Sequence, residues 1–207
     1  MLPMMRRLFA PVALAAALLL SATAAQAELL NGSFENPSRS SYGPWTFSNW
    51  TAGPGAVWAY QGDVYGAIPD GRQVVELSQS AYLWQNTGIQ LQFGHTYKFD
   101  IKVSPWDNTT DLEVGLFLAT SSTGIGSKAA ATRAPAGTWP TSTREYHDLS
   151  VAYTATAADV GKYVTVAMGM YNMAAAWDKA TFTETVPEPG TLAMLGDDGE
   201  MRPLEEL

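Results

Sequence analysis

The run Tyr97-Lys98-Phe99-Asp100-Ile101-Lys102-Val103 constrains the chain more than any other stretch. Apolar side chains occupy every second position and charged ones fall between them. That is the period of a β-strand with one buried face, and a helix would scatter the same residues around its circumference. Leu112–Leu118 repeats the pattern, with Phe117 on the outer face as a sign that this face is partly covered. Tyr163–Met170 sets Val164, Val166, Met168 and Met170 against Tyr163, Thr165, Ala167 and Gly169. Ile89–Phe93 alternates as well, broken from the next strand by Gly94-His95, and shorter strands are predicted at Gln73–Leu77, Tyr82–Gln85, Ser150–Tyr153 and Lys179–Glu184.

Leu29-Leu30 is predicted to open the domain as a short apolar strand, followed by a turn through Asn31-Gly32-Ser33-Phe34-Glu35-Asn36-Pro37. Ala155–Lys162 has room for one helical turn, and 121–140, rich in Ala, Gly, Ser and Thr, is predicted to be a long surface loop. Strands that are polar on one face exclude a parallel sheet, whose members are apolar on both. The expectation is a single all-β domain, an antiparallel jelly-roll β-sandwich.

The ends differ in character from this middle. Arg6 and Arg7 precede an apolar run from Phe9 to Leu20, and Ala25-Gln26-Ala27 supplies a small-x-small cleavage pattern. This is the layout of a signal peptide over 1–27, with an apolar core too short for a spanning helix. The domain is then expected over 28–185 of an exported chain, extracellular or at the cell surface. The formal net charge is −8, and losing the leader's arginines makes the remainder more acidic. Such a chain repels phosphate backbones, so nucleic acid is not expected as a partner. Cysteine is absent, which excludes disulfides, thiolate catalysis and Cys-ligated zinc. Past Glu184, two prolines in Val186-Pro187-Glu188-Pro189-Gly190 stop any ladder, and the acidic tail to Leu207 is expected to be irregular and to hold no membrane span.

Three pieces of the chain resemble known proteins. Leu30-Asn31-Gly32-Ser33-Phe34-Glu35 behind a signal peptide is similar to the start of galactose-binding-like jelly-roll domains, among them several carbohydrate-binding module families. Asp70–Leu77, Leu83-Trp84-Gln85 and Ala176–Phe182 resemble later core segments of those domains. Val186-Pro187-Glu188-Pro189 and the residues up to Gly196 look like the start of a PEP-CTERM sorting signal, which implies processing by an exosortase. The pattern departs from that family where a hydrophobic span and an arginine cluster belong, because Asp197-Asp198-Gly199-Glu200 follows instead.

The resemblance implies a structural calcium ion held by Glu35, after the first strand, and Asp178, opening the last, with backbone carbonyls completing the shell. That fits an ion that takes 6–8 oxygens. Glu35 as a turn cap and Asp178 as a solvated strand end is the alternative. The chain has seven tryptophans, whose flat faces stack on sugar rings when exposed. Trp84 and Trp177 lie in predicted strands and are expected in the core. Trp45, Trp50, Trp58 and Tyr60 lie in a Gly/Pro/Ser-rich segment, and Trp106 follows Pro105 at a strand end. These five are the candidate carbohydrate-binding residues. Tyr146-His147-Asp148 contains the elements of a hydrolytic relay but no nucleophile elbow accompanies it, and Asp111 and Glu113 share a strand face and cannot straddle a glycosidic bond. The expected function is non-catalytic binding of a carbohydrate polymer or an exopolysaccharide matrix. A structural or protein-interaction domain, or a glycan-active enzyme, are the alternatives.

Overall fold

The computed structural model describes residues 29–187, except 63, 64, 79 and 141–143, together with 193–195 and 201–203. The leader predicted over 1–27 lies outside the described residues, as do Glu188 and Pro189 of the sorting motif.

Eleven strands build the sandwich: β1 (Gly43–Pro44), β2 (Thr51–Ala52), β3 (Ala56–Gln61), β4 (Gln73–Ser78), β5 (Tyr82–Gln90), β6 (Thr96–Pro105), β7 (Asp111–Ala119), β8 (Ser127–Ala134), β9 (His147–Thr154), β10 (Tyr163–Asn172) and β11 (Ala174–Thr185). One sheet has the order β1-β3-β4-β11-β6-β9 and the other β2-β5-β10-β7-β8, with antiparallel pairing throughout. The inner faces carry the alternating residues the sequence marks. Tyr97, Phe99, Ile101 and Val103 of β6 meet Leu112, Val114 and Leu116 of β7 and Val164, Val166 and Met168 of β10 in one core cluster, all of them buried. Trp177 of β11 is wholly buried among them. This is the expected all-β antiparallel jelly-roll sandwich.

Two expectations are corrected. Leu29–Pro37 is not a strand. Asn31 and Phe34 take positive φ, Phe34 N donates to Asn31 O, and the segment winds through turns. Two buried glutamines anchor it, one from each sheet. Gln85 donates to Leu30 O and accepts Leu30 N, while Gln73 donates to Phe34 O and accepts Arg39 N. Secondly, the stretch predicted as a loop contains β8, an edge strand whose Ser, Lys, Ala and Thr side chains leave no apolar alternation to read. Strand β5 also runs on to Gln90, so that Ile89 belongs to it and Leu91 to Phe93 follow it. The expected helical turn is a short 3₁₀ segment at Ala157–Asp159.

The tail forms a separate unit, in which β12 (Ala193–Leu195) pairs antiparallel with β13 (Met201–Pro203). Among the described residues no helix is long and apolar enough to cross a membrane.

Candidate functional site

The outer face of the six-stranded sheet is unusual in having small residues at its centre. Trp58 of β3, Glu76 of β4, Ala176 of β11 and Ser104 of β6 stand in one cross-strand row, and Ser78 and Ala174 share the next. Large aromatics border this low ground. Tyr42 comes from the entry to β1, Tyr60 from β3, Tyr65 from the loop before β4 and Trp106 from the end of β6. Ser104 Oγ donates to Tyr65 O at 2.9 Å and pins that loop across the sheet. The result is a cup of about 580 Å³ lined by Tyr42, Tyr60, Tyr65 and Trp106, with Glu76 in its floor.

The walls are held by ring-to-ring contact. Tyr42 stacks on Trp58 at 4.9 Å with 7° between the planes, so Trp58 backs the wall. Tyr60 lies 5.1 Å from Tyr42 and 5.8 Å from Tyr65, and Tyr65 lies 5.7 Å from Trp106, each pair edge-on or tilted. Trp106 is 42% exposed, the most open of the chain's described tryptophans, with the Arg144 guanidinium 4.5 Å from its ring centroid. Glu76 accepts the Tyr65 hydroxyl at 2.6 Å and the Tyr42 hydroxyl at 3.2 Å. Burial and this carboxylate push the Tyr65 hydroxyl far above the ordinary tyrosine range, and Tyr42 is raised by the same two causes.

Of the five aromatics marked in the sequence, Tyr60 and Trp106 line the cup and Trp58 braces it. Trp45 lies next door, beside Trp58 in a shallow depression, its ring under the Arg39 guanidinium and its Nε1 donating to Pro37 O. Trp50 is buried in the core, packed on Phe34, with its Nε1 donating to Asn31 O at 3.1 Å. A tryptophan in a polar loop has nowhere apolar to go except inward when the loop lies over the open end of a sandwich. Tyr42, Tyr65 and Glu76 are absent from the sequence reading. Tyr42 and Tyr65 each precede a glycine, the kind of surroundings that marked Trp45 to Tyr60, whereas Glu76 falls inside the predicted strand Gln73–Leu77 with nothing to set it apart.

Glu35 and Asp178 flank the same loop. Glu35 Oε1 accepts the amides of Arg72 and Gln73, while Asp178 accepts the amide of Asp70 at 2.8 Å and its neighbour's, Lys179, at 2.7 Å. Asp178 sits at a bulge in β11, where Lys179 takes positive φ and Ala180 N donates to Gly32 O. It is wholly buried, not a solvated strand end. Burial first, and then the nearby Asp70 and Glu35 carboxylates, raise it to about 7 against the pull of its amide partners. A buried carboxylate beside two others has the chemistry that favours a cation. Among the described residues no group of three or more His, Asp or Glu side chains is arranged to hold a metal, so an ion here would draw on backbone carbonyls as well.

The other polar candidates disperse. Asp148 pairs with Lys102, His147 packs on Trp139, and the Tyr146 hydroxyl and His147 Nε2 are buried without a hydrogen-bond partner. They form no relay. Asp111 is held below the usual carboxylate range by hydrogen bonds from Arg133, and Glu113 pairs with Lys128. The opposite sheet has its own trough of about 340 Å³, lined by Gly115, Ala167 and Gly169 together with Tyr82 and Phe117.

No protein-family model matches the chain, and no curated protein matches its sequence. Its fold is similar to that of the Stig cyclase Fisc from Fischerella sp. TAU, solved with (3Z)-3-(1-methyl-2-pyrrolidinylidene)-3H-indole. The TM-score is 0.64 at 15% identity, over 78% of this chain and 98% of that one. It is also similar to the enzymatically active domain of bacteriophage CBA120 tailspike protein 4, with a TM-score of 0.51 at 15% identity over 74% of this chain and 21% of that one. The CBM22-1 xylan-binding domain of Paenibacillus barcinonensis Xyn10C gives a TM-score of 0.45 at 11% identity, over 67% and 87%. At such identities the likeness to the first two is one of fold.

Proposed function

We propose that this chain is a non-catalytic, exported glycan-binding domain whose binding surface is the aromatic cup. One observation carries the reading: Tyr42, Tyr60, Tyr65 and Trp106 converge around a recessed polar floor, with Trp106 open to solvent. Sugar rings present C–H-rich faces to aromatic planes and hydroxyls to a carboxylate, and the cup supplies both. The leader pattern supports export, and the Val186–Pro189 motif supports a lineage of exosortase-sorted matrix proteins. A calcium ion at Glu35 and Asp178 would stabilise the loop that carries Tyr65.

Affinity electrophoresis of the folded protein in gels containing neutral, basic and acidic polysaccharides tests the reading. Retardation that disappears in Trp106→Ala is expected. Free migration through every polymer, with calcium present, overturns it.

A further inference from the structure

Glu76 puts a carboxylate in the floor of the cup, and no cationic side chain lines it among the described residues. Glu76 is only 7% exposed, and among the described residues it enters no ion pair. Its two oxygens accept hydroxyls from Tyr42 and Tyr65, which are neutral donors. Removing a carboxylate from water is costly, and neutral hydrogen bonds offset only part of that cost. The charge is nevertheless kept at the floor of an aromatic concavity, where a bound group would meet it.

What surrounds it favours the same sign of ligand. The faces and edges of Tyr42, Tyr60, Tyr65 and Trp106 follow one another at 5.1 to 5.8 Å around the cup. Aromatic faces attract a cation within about 6 Å of the ring centre and gain more when water is excluded. Trp106 already accepts the Arg144 guanidinium, although Arg144 does not line the cup. An acidic sugar would meet Glu76 as a like charge, and a neutral one would bring hydroxyls but no counter-charge. The formal net charge of −8 also draws basic ligands towards the surface.

We infer that the cup selects a glycan bearing free ammonium groups, an amino sugar whose nitrogen sits between the aromatic wall and the Glu76 carboxylate. This rests on the glycan-binding reading and narrows it to a substrate class. Glycans that are acidic or neutral lack this group.

Calorimetric titration with a β-1,4-linked glucosamine pentamer and its fully N-acetylated counterpart separates charge from shape, because the two share a skeleton. The wild type is expected to bind the charged oligomer at least about tenfold more tightly, as for one desolvated charge-assisted contact. Glu76→Gln is expected to bring the two within about twofold, and Trp106→Ala to lose both. Equal or tighter binding of the N-acetylated oligomer by the wild type overturns the inference and leaves glycan binding standing. A preference that survives in Glu76→Gln belongs to the chain's overall charge and also overturns it. If no glycan binds but tetramethylammonium quenches tryptophan fluorescence in the wild type and not in Trp106→Ala, the cation site stands and the glycan reading falls. Should Glu76→Gln fail to fold, competition in the wild type decides. Displacement of the glucosamine oligomer by tetramethylammonium supports the site, and its absence overturns it.

Discussion

Glu35 and Asp178 hold the same turn. Glu35 lies ahead of the first strand and accepts the amides of Arg72 and Gln73 at 2.7 and 2.6 Å, while Asp178, in the last strand of the sandwich, accepts that of Asp70 at 2.8 Å. The two ends of the domain are thereby joined through a third segment, in a chain that has no cysteine to do it covalently.

The Asp178 carboxyl gives this arrangement a pH dependence. Folded, it titrates near 7, raised chiefly by burial, and unfolded near 4. Between those values the folded state binds more protons. With calcium chelated, stability is therefore expected to fall as the pH rises through that window and to level off above it. Calcium favours the ionised form, so it should raise Tm more at about pH 8 than at about pH 5.5. Asp178→Asn should flatten the profile and abolish the calcium increment. Calcium-independent melting at both pH values would remove the ion from the account.

Asp159 works in the opposite direction. Hydrogen bonds from Thr156, from Tyr153 at 2.6 Å and from Lys162 at 3.0 Å hold it well below the ordinary carboxylate range. Its contribution is present above about pH 4 and is lost as the pH falls through the depressed value. Asp159→Ala should cost about 1–2 kcal/mol in urea unfolding near neutrality, as for a lost cap with a partnered hydroxyl, and much less near pH 2.

Trp50 and Trp106 should separate stability from recognition. Trp50→Ala removes a buried indole from contact with Phe34 and should cost about 3–5 kcal/mol, read as a lowered denaturant midpoint. Trp106→Ala should leave the midpoint within about 1 kcal/mol and remove polysaccharide retardation. The reverse assignment would place binding in the segment around Trp50 after all.

Gly71 is a sensitive point of the shared turn. It takes φ of +74°, and a Cβ there would lie 2.4 Å from Glu35 Oε1. Gly71→Ala should destabilise by about 1–3 kcal/mol. Adding Glu35→Ala should cost less in that background than in the wild type, because one steric conflict is removed with it, and a double-mutant cycle by denaturant unfolding measures the difference. Strict additivity would mean the strain lies in the backbone alone.

Strands with one apolar face were legible because their chemistry is local: β6, β7 and β10 follow the alternation almost residue for residue. β8 has no large apolar side chain, and its place in the sheet comes from pairing with β7, which no window of sequence contains. β3 was hidden for a different reason. Its outward residues, Trp58 and Tyr60, are aromatic and its flanks are Gly-rich, so it resembled a binding loop. The site was half legible on the same grounds. Tyr60 and Trp106 could be marked as aromatics near turns, but Glu76 became a floor only because β4 lies between β3 and β11 and has both faces covered. The Glu35–Asp178 association came from family resemblance, and the turn it holds lay beyond the reach of spacing.

The loop before β4 carries Tyr65 into the cup at one end, where Ser104 fixes it to the sheet, and the Asp70–Gln73 turn at the other. The proposed binding surface and the cohesion of the domain therefore share a single piece of backbone, and a change there is expected to alter both at once. Tyr42 and Trp106 are attached elsewhere, on β1's approach and the end of β6. With Tyr60 on β3, they are positions from which the preference of the proposed binding surface can be retuned, by evolution or by design, while the fastening of the domain is left alone.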